Sequence, residues 1–144
     1  SRALMSLRVE KGYGSWSREY SPEYWPQEVA LDRLIKLEKD FLNKDAYLQI
    51  KDNAPGEVLS LVHVTDVTDA DATGGEPIFL TDGTPVGRVT SGTYGYSVDM
   101  SLALGYLKDV PAGTAVDVMI LGKPHRGVVL SEAPFDPKGQ KLRA

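Results

Sequence analysis

The 144 residues contain no cysteine, only two histidines, two tryptophans and three phenylalanines, and no excess of basic charge. Without cysteine there is no disulfide scaffold, no thiolate zinc site and no cysteine nucleophile, and a cytoplasmic location is the expectation. His63 and His125 lie far apart in sequence and in no ligand spacing, so a metal site would need distant carboxylates to converge, and none is expected. No run of about eighteen apolar residues is present, and the N-terminus lacks the basic-then-apolar pattern of a signal peptide. Neither a membrane span nor an export signal is read. Sixteen Lys and Arg against twenty Asp and Glu leave a net charge of -4, which repels a polyphosphate, so nucleic acid is excluded as a partner. Internal repeats and low-complexity tracts are missing as well.

What remains is 42% hydrophobic and 25% charged, the composition of a folded domain able to bury roughly two thirds of its unfolded surface. Residues 4–10 alternate loosely between apolar and polar and predict a short strand ended by Gly12-Tyr-Gly14. Residues 15–26 are rich in aromatics and carry two prolines, which predicts an irregular packed loop. Pro26 before Gln-Glu-Val-Ala-Leu predicts a short helix, with Glu28 facing the positive end of its dipole. Leu34, Ile35 and Leu37 fit strand or helix, and Asn43 is placed to cap a helix over 43–51. Strands follow at Val58 to Val64, Ile78 to Leu80, Val86 to Ser91, Ser101 to Leu107, Ala115 to Leu121 and Gly127 to Ser131. Asp82-Gly83 predicts a type I′ hairpin turn, and Gly122-Lys-Pro-His125 closes a second hairpin. Six short strands imply a barrel or a sandwich, since open edges invite aggregation. Turn signals place a boundary near residue 54.

Chemistry-bearing motifs are sparse. Asp66-Val-Thr-Asp-Ala-Asp71 and Glu76 gather four carboxylates within eleven residues, but without EF-hand spacing, and a solvated loop is the better reading than calcium. The glycines at 83–95 match neither a P-loop nor a dinucleotide fingerprint, so turns explain them. Tyr94 and Tyr96 share one face of an extended segment, fit either for core packing or for an aromatic wall. Arg8 and Glu10 share one side of the first strand, with Tyr13 beyond it. A carboxylate accepts hydrogen bonds from the amidine-like edge of a pterin and a tyrosine stacks or donates, although a solvated Arg8–Glu10 pair explains the same residues. No nucleophile elbow or spaced Ser, His and Asp set is present, so no catalytic residue is assigned.

The strings Leu7-Arg-Val-Glu-Lys-Gly-Tyr13, Pro26-Gln-Glu-Val-Ala-Leu31, Lys39-Asp-Phe-Leu-Asn-Lys44, Gly87-Arg-Val-Thr-Ser-Gly92 and Ser101-Leu-Ala-Leu-Gly105 resemble the aminomethyltransferase family, the T protein of the glycine cleavage system. Glu10-Lys-Gly-Tyr-Gly-Ser-Trp16, Arg18-Glu-Tyr20 and Pro134-Phe-Asp-Pro-Lys-Gly139 look like the T-protein-like half of dimethylglycine and sarcosine dehydrogenases or oxidases. The resemblance implies an α+β fold, a short α/β tail (1–53) packed on a C-terminal six-stranded antiparallel β-barrel of the aminomethyltransferase type (54–144). It also implies a tetrahydrofolate site that captures a one-carbon unit from glycine, sarcosine or dimethylglycine.

Carried over position by position, Tyr13 matches a family tyrosine at the folate and Glu10 a recurrent family glutamate. Arg143 falls near a C-terminal arginine that reaches the ligand in some members. Where T proteins have an arginine six positions before the glutamate, this chain has Leu4, so that contact is either missing or supplied by Arg2. The family's catalytic aspartate lies in an N-terminal region without a counterpart here, and no flavin site is present. The expectation is a folate-side portion of an enzyme, cut from something longer and inactive alone, whose partner is the N-terminal portion or a self-associating copy. An apolar surface exposed on the first fifty residues follows from that expectation, and dimerisation from the surface. The alternative is a stand-alone, non-catalytic β-barrel interaction module.

Overall fold

The structure, a computed structural model, describes every residue except 68, so Thr68 of the acidic stretch lies outside the described residues. Six strands close into an antiparallel barrel: β1 (Val58–Val64), β2 (Pro77–Leu80), β3 (Pro85–Gly95), β4 (Met100–Leu107), β5 (Ala115–Ile120) and β6 (Lys123–Val129), in the spatial order β1-β4-β3-β2-β5-β6 with β6 returning to β1. Closure pairs every strand on both sides and removes the open edges that alternating apolar strands would otherwise leave. The interior is filled by Val62, Val64, Ile78, Val89, Ala103, Leu107, Val116, Val118 and Val129, the inward half of each alternating run. A second cluster of Val9, Leu61, Leu102 and Leu104 lies where the first helix packs on β3 and β4.

That helix, α1 (Arg2–Glu10), replaces the strand predicted over residues 4–10. Seven residues are too few to separate a period of two from 3.6. Ser1 caps the helix by accepting from the Leu4 amide at 3.3 Å, and the buried face is Ser6, Val9 and Glu10 at helical spacing. Leu4 and Leu7 point outward. The helix predicted after Pro26 is a set of turns instead, followed by a single 3-10 turn at Asp32–Leu34. Ala30 adopts φ +56°, which a right-handed helix cannot continue through. Glu28 does not face a helix dipole; its carboxylate accepts from the amides of Trp25 (2.8 Å) and Gly56 (3.0 Å) and pins the loop to the entry of β1. The predicted helix over 43–51 is α2 (Lys44–Ile50). Asn43 occupies the cap position in a left-handed conformation, φ +64°, and makes no side-chain capping bond.

Both hairpins form, but Asp82-Gly83 is not a type I′ turn and the second turn lies ahead of Lys123 rather than at Gly122–His125. At Asp82-Gly83 only the glycine takes positive φ (+88°), and its amide bonds the Leu80 carbonyl, giving a type I turn closed by a left-handed glycine. The I′ turn is at Leu121-Gly122, where φ is +49° and +77° between the paired residues Ile120 and Lys123. His125 consequently lies within β6 rather than in a turn, with Nδ1 3.4 Å from Asp66. Leucine is strained in this conformation and asparagine is not, so Leu121→Asn is expected to raise stability by about 0.5–1 kcal/mol, read as a higher thermal midpoint. An unchanged or lower midpoint would contradict the strain assignment.

The loop from β1 to β2 runs back alongside β3: the Gly75 amide bonds Val89 O and the Val89 amide bonds Glu76 O, each at 2.8 Å. A Cβ on Gly92 would lie 2.1 Å from the Ala72 carbonyl oxygen, so this crossing requires glycine. Among the described residues, no helix is long and apolar enough to cross a membrane.

Candidate functional site

The seam between α1 and the barrel holds two buried carboxylates with opposite circumstances. A bulge between Val89 and Ser91, opposite Gly105 and Leu104 of β4, inserts Thr90 and turns the Ser91 side chain toward the seam, where it is fully buried. Ser91 Oγ donates to Glu19 Oε1 at 2.5 Å and accepts from Arg8 Nη2 at 2.7 Å. Glu19 Oε2 accepts from the Ser15 amide at 2.7 Å and faces Arg8 Nη1 at 3.4 Å. Burial alone pushes the Glu19 carboxyl up, but hydrogen bonds from Ser91, Thr90 and Ser15 and the Arg8 charge outweigh it and hold the group below the usual glutamate range. The Glu19 carbonyl accepts from Tyr106 OH at 2.6 Å, and the Tyr24 ring stacks on Tyr106 with centroids 3.6 Å apart. Burial, then the neighbouring Tyr24 and Glu19, raise the Tyr106 phenol above its ordinary value, so it stays a donor. Every polar group here has partners, which makes this network a lock between loop 14–24, α1 and β3–β4.

Glu10, on the same helix, is not satisfied in this way. It is 1% exposed, and its Oε1 accepts from the Ser97 amide at 2.8 Å and from Ser6 Oγ at 3.2 Å. Its Oε2 is buried and has no hydrogen-bond partner among the described residues. Gly95 allows the close approach, since a Cβ there would lie 2.9 Å from Glu10 Cγ. An ionisable oxygen without a donor in a buried setting is costly and marks an acceptor that this chain leaves open.

The sequence-derived residues are placed as follows. Arg8 and Glu10 do not share a strand face, because the segment is helical, and Arg8 pairs with Glu19. Tyr13 follows the helix, half-exposed, with its amide on Arg8 O (2.8 Å) and its carbonyl accepting from Arg8 Nη1 (3.0 Å). Arg143 is exposed in a 3-10 turn (Lys141–Arg143) on a C-terminal segment that returns to the end of α1, where the Phe135 amide bonds Glu10 O at 3.1 Å. Glu10 and Tyr13 thus share one helix end, and the segment bearing Arg143 docks on it. Tyr94 and Tyr96 meet edge to face, 5.1 Å between centroids, on a groove of about 690 Å³ also lined by Arg2, Met5, Asp71 and Thr93. Of the acidic stretch, Asp71 accepts from Ser101 Oγ at 2.6 Å, while Glu76 accepts from the amides of Thr73 and Gly74. Among the described residues no three His, Asp or Glu side chains converge on a metal-sized site. Sequence reasoning passed over Glu19, Ser91 and Ser6 as site residues; a glutamate set among loop aromatics was the only local sign of the lock.

Among the described residues, ten of the fourteen exposed large apolar side chains belong to residues 1–48, led by Leu42 (89% exposed) and Trp16 (83%). The part before the barrel therefore leaves these apolar side chains uncovered among the described residues.

Comparison with known proteins matches residues 59–136 to the glycine cleavage T-protein C-terminal barrel domain. Human mitochondrial dimethylglycine dehydrogenase is 39% identical over 90% of this chain, and a probable aminomethyltransferase of Thermococcus gammatolerans is 31% identical over 92% of it. The crystal structure of glycine cleavage system aminomethyltransferase T from Bartonella henselae superposes with a TM-score of 0.82, at 27% identity, over 94% of the chain. The chain spans only 15%, 35% and 38% of these three proteins' lengths. With a closed six-stranded antiparallel barrel, the helix-borne seam in front of it and this match over more than half its length, the chain belongs to the family of glycine cleavage T-protein C-terminal barrel domains.

Proposed function

We propose that this chain supplies one wall of a tetrahydrofolate site in an aminomethyltransferase-like protein, with residues 1–53 as the tail of the α/β portion and 54–144 as the barrel. Glu10, Tyr13 and Arg143 are its ligand residues, Tyr13 and Arg143 exposed and Glu10 enclosed under loop 95–97, which must give way for a ligand to reach it. The observation that carries this reading is the buried Glu10 carboxylate with its unpaired Oε2. The amino-pyrimidine edge of a pterin offers the N–H donors that such an oxygen lacks, and Tyr13 supplies a ring and a hydroxyl three residues away. The exposed apolar face of residues 1–48 is covered by the N-terminal portion of the same protein or by a second copy. That portion also carries the acid or base which moves protons at the folate amine. General acid–base catalysis needs the group within hydrogen-bond reach, so the chain binds but does not turn over by itself.

When bound, tetrahydrofolate supplies the amine that accepts a one-carbon unit. The residues here hold and orient the pterin and keep water from its edge. A site reduced to one wall loses much of its affinity, so calorimetric titration of this chain with tetrahydrofolate is expected to show saturable binding with a dissociation constant of about 1 mM. No heat of binding at ligand concentrations well above that value would confine the chain to a structural role. One-carbon transfer from an amine donor by the chain alone, above the uncatalysed rate, would overturn the assignment of catalysis elsewhere.

A further inference from the structure

The C-terminal fourteen residues form neither strand nor long helix, yet they are anchored with more polar contacts than a frayed end requires. Their hub is Asp136. Its backbone is left-handed, φ +44°. Its Oδ1 accepts from the Gln140 amide at 2.7 Å, and its carbonyl accepts from the Gly139 amide at 2.9 Å. From that turn the Arg143 amide reaches Gln140 O, and the Arg143 guanidinium donates to Lys138 O. The fold of the segment up to Arg143 is therefore built outward from Asp136.

Asp136 is in turn tied to α1. Lys11, the residue after Glu10, places Nζ 3.0 Å from Asp136 Oδ2 and donates also to the Asp136 carbonyl. Both side chains are nearly enclosed, 12% and 7% exposed, unlike the solvated pairs that contribute little. Beside this pair, the Phe135 amide holds Glu10 O, and Ala133 sits against Gly12 at the helix exit. Lys141 stacks back over the Phe135 ring, 4.9 Å from its centroid.

We propose that Lys11 and Asp136 are a positioning pair: an ion-pair latch that clamps the C-terminal strap, residues 131–144, onto the Glu10–Tyr13 end of α1 and so holds Arg143 on the ligand side. Its functional half rests on the tetrahydrofolate reading; its structural half does not. The latch joins two groups from opposite ends of the sequence at the helix exit, beside the Phe135–Glu10 backbone bond, so it acts on ligand affinity through Arg143 and Glu10 while the barrel keeps its own core.

The test uses the full chain with Lys11→Met, and with Lys11→Arg as the conservative rescue. Trypsin cleavage after Lys138, followed by mass, reports release of the strap. Thermal unfolding reports the barrel, and titration with tetrahydrofolate reports the site. Lys11→Met is expected to speed cleavage after Lys138 about tenfold, because cleavage tracks the open population, and to weaken tetrahydrofolate severalfold, while the thermal midpoint falls by only a few degrees as the ion pair is lost and the barrel core is kept. Lys11→Arg is expected to restore both. Unchanged cleavage in Lys11→Met overturns the latch. Faster cleavage with unchanged affinity overturns the positioning role. If the unsubstituted chain binds no tetrahydrofolate, the folate reading fails, and the cleavage rates still decide the latch.

Discussion

Replacing Glu19 with alanine is expected to remove about 3–5 kcal/mol of folding stability, the cost of leaving one member of a buried charged pair uncompensated. Arg8 would face the seam with Ser91 as its only remaining side-chain partner of the network, while the Ser15 amide and the Ser91 hydroxyl would lose their acceptor. Because Tyr106 donates to the Glu19 carbonyl, disturbing this loop also loosens the Tyr24–Tyr106 stack. Against the 5–15 kcal/mol that ordinarily holds a domain, such a loss leaves a substantial unfolded population at modest temperature. Urea unfolding of the two proteins measures it, and a loss below about 1 kcal/mol would show that the network is no more than a surface pair.

The same residue sets an acid limit. Its carboxyl is held below the ordinary glutamate range in the fold, so the folded state binds the proton less readily than the unfolded chain does. Stability from this source is fully present above the unfolded value, about 4.3, and is lost as pH falls through the lowered folded value. Glu76 and Asp136 are also held low, the first by the amides of Thr73 and Gly74 and the second by Lys11 and the Gln140 amide, against the upward push of burial in both. Glu19→Gln is therefore expected to flatten part of the acid limb of stability against pH, leaving the remainder to those two and to Asp82, which the Thr84 amide also holds low. An acid limb of undiminished steepness in that variant would remove Glu19 from the account.

Where the sequence was legible, the reason is local. Val58 to Val64 and Ser101 to Leu107 are apolar runs bounded by turn residues, and they appear as β1 and β4 to within a residue. The predicted strand at Gly127 to Ser131 begins earlier, at Lys123, because the I′ turn sits at Leu121-Gly122, and leucine gives no signal for positive φ. Residues 4–10 carry a strand-like pattern, yet α1 is a helix because it packs Ser6, Val9 and Glu10 on β3 and β4, a contact eighty or more residues away. The bulge at Thr90 decides that Ser91 meets Glu19, and it follows from the register of β3 on β4, which no short window carries. Candidate ligand residues Glu10, Tyr13 and Arg143 came from the family resemblance. The unpaired Glu10 oxygen is visible only once loop 95–97 is folded over the helix end.

Glu10→Gln is expected to weaken tetrahydrofolate about 10- to 100-fold while leaving the fold as stable as before or slightly more so. The two halves of this expectation share one cause. In the free chain the Glu10 carboxylate is buried with Oε2 lacking any donor, a state that costs stability, since a buried acceptor left unmatched loses its hydration without replacement. Glutamine retains a carbonyl oxygen for the Ser97 amide, which lies 2.8 Å from Oε1, and removes the charge. Against the ligand the change runs the other way: a hydrogen bond to a charged group contributes about 1.5–3 kcal/mol, and the pterin edge would meet an amide that offers donors where it needs acceptors. Calorimetric titration and thermal unfolding of the same two proteins separate the cases. Equal affinity in both would remove Glu10 from the site. A midpoint lowered by many degrees would show instead that the carboxylate belongs to the fold, with its second oxygen satisfied by bound water rather than reserved for a ligand.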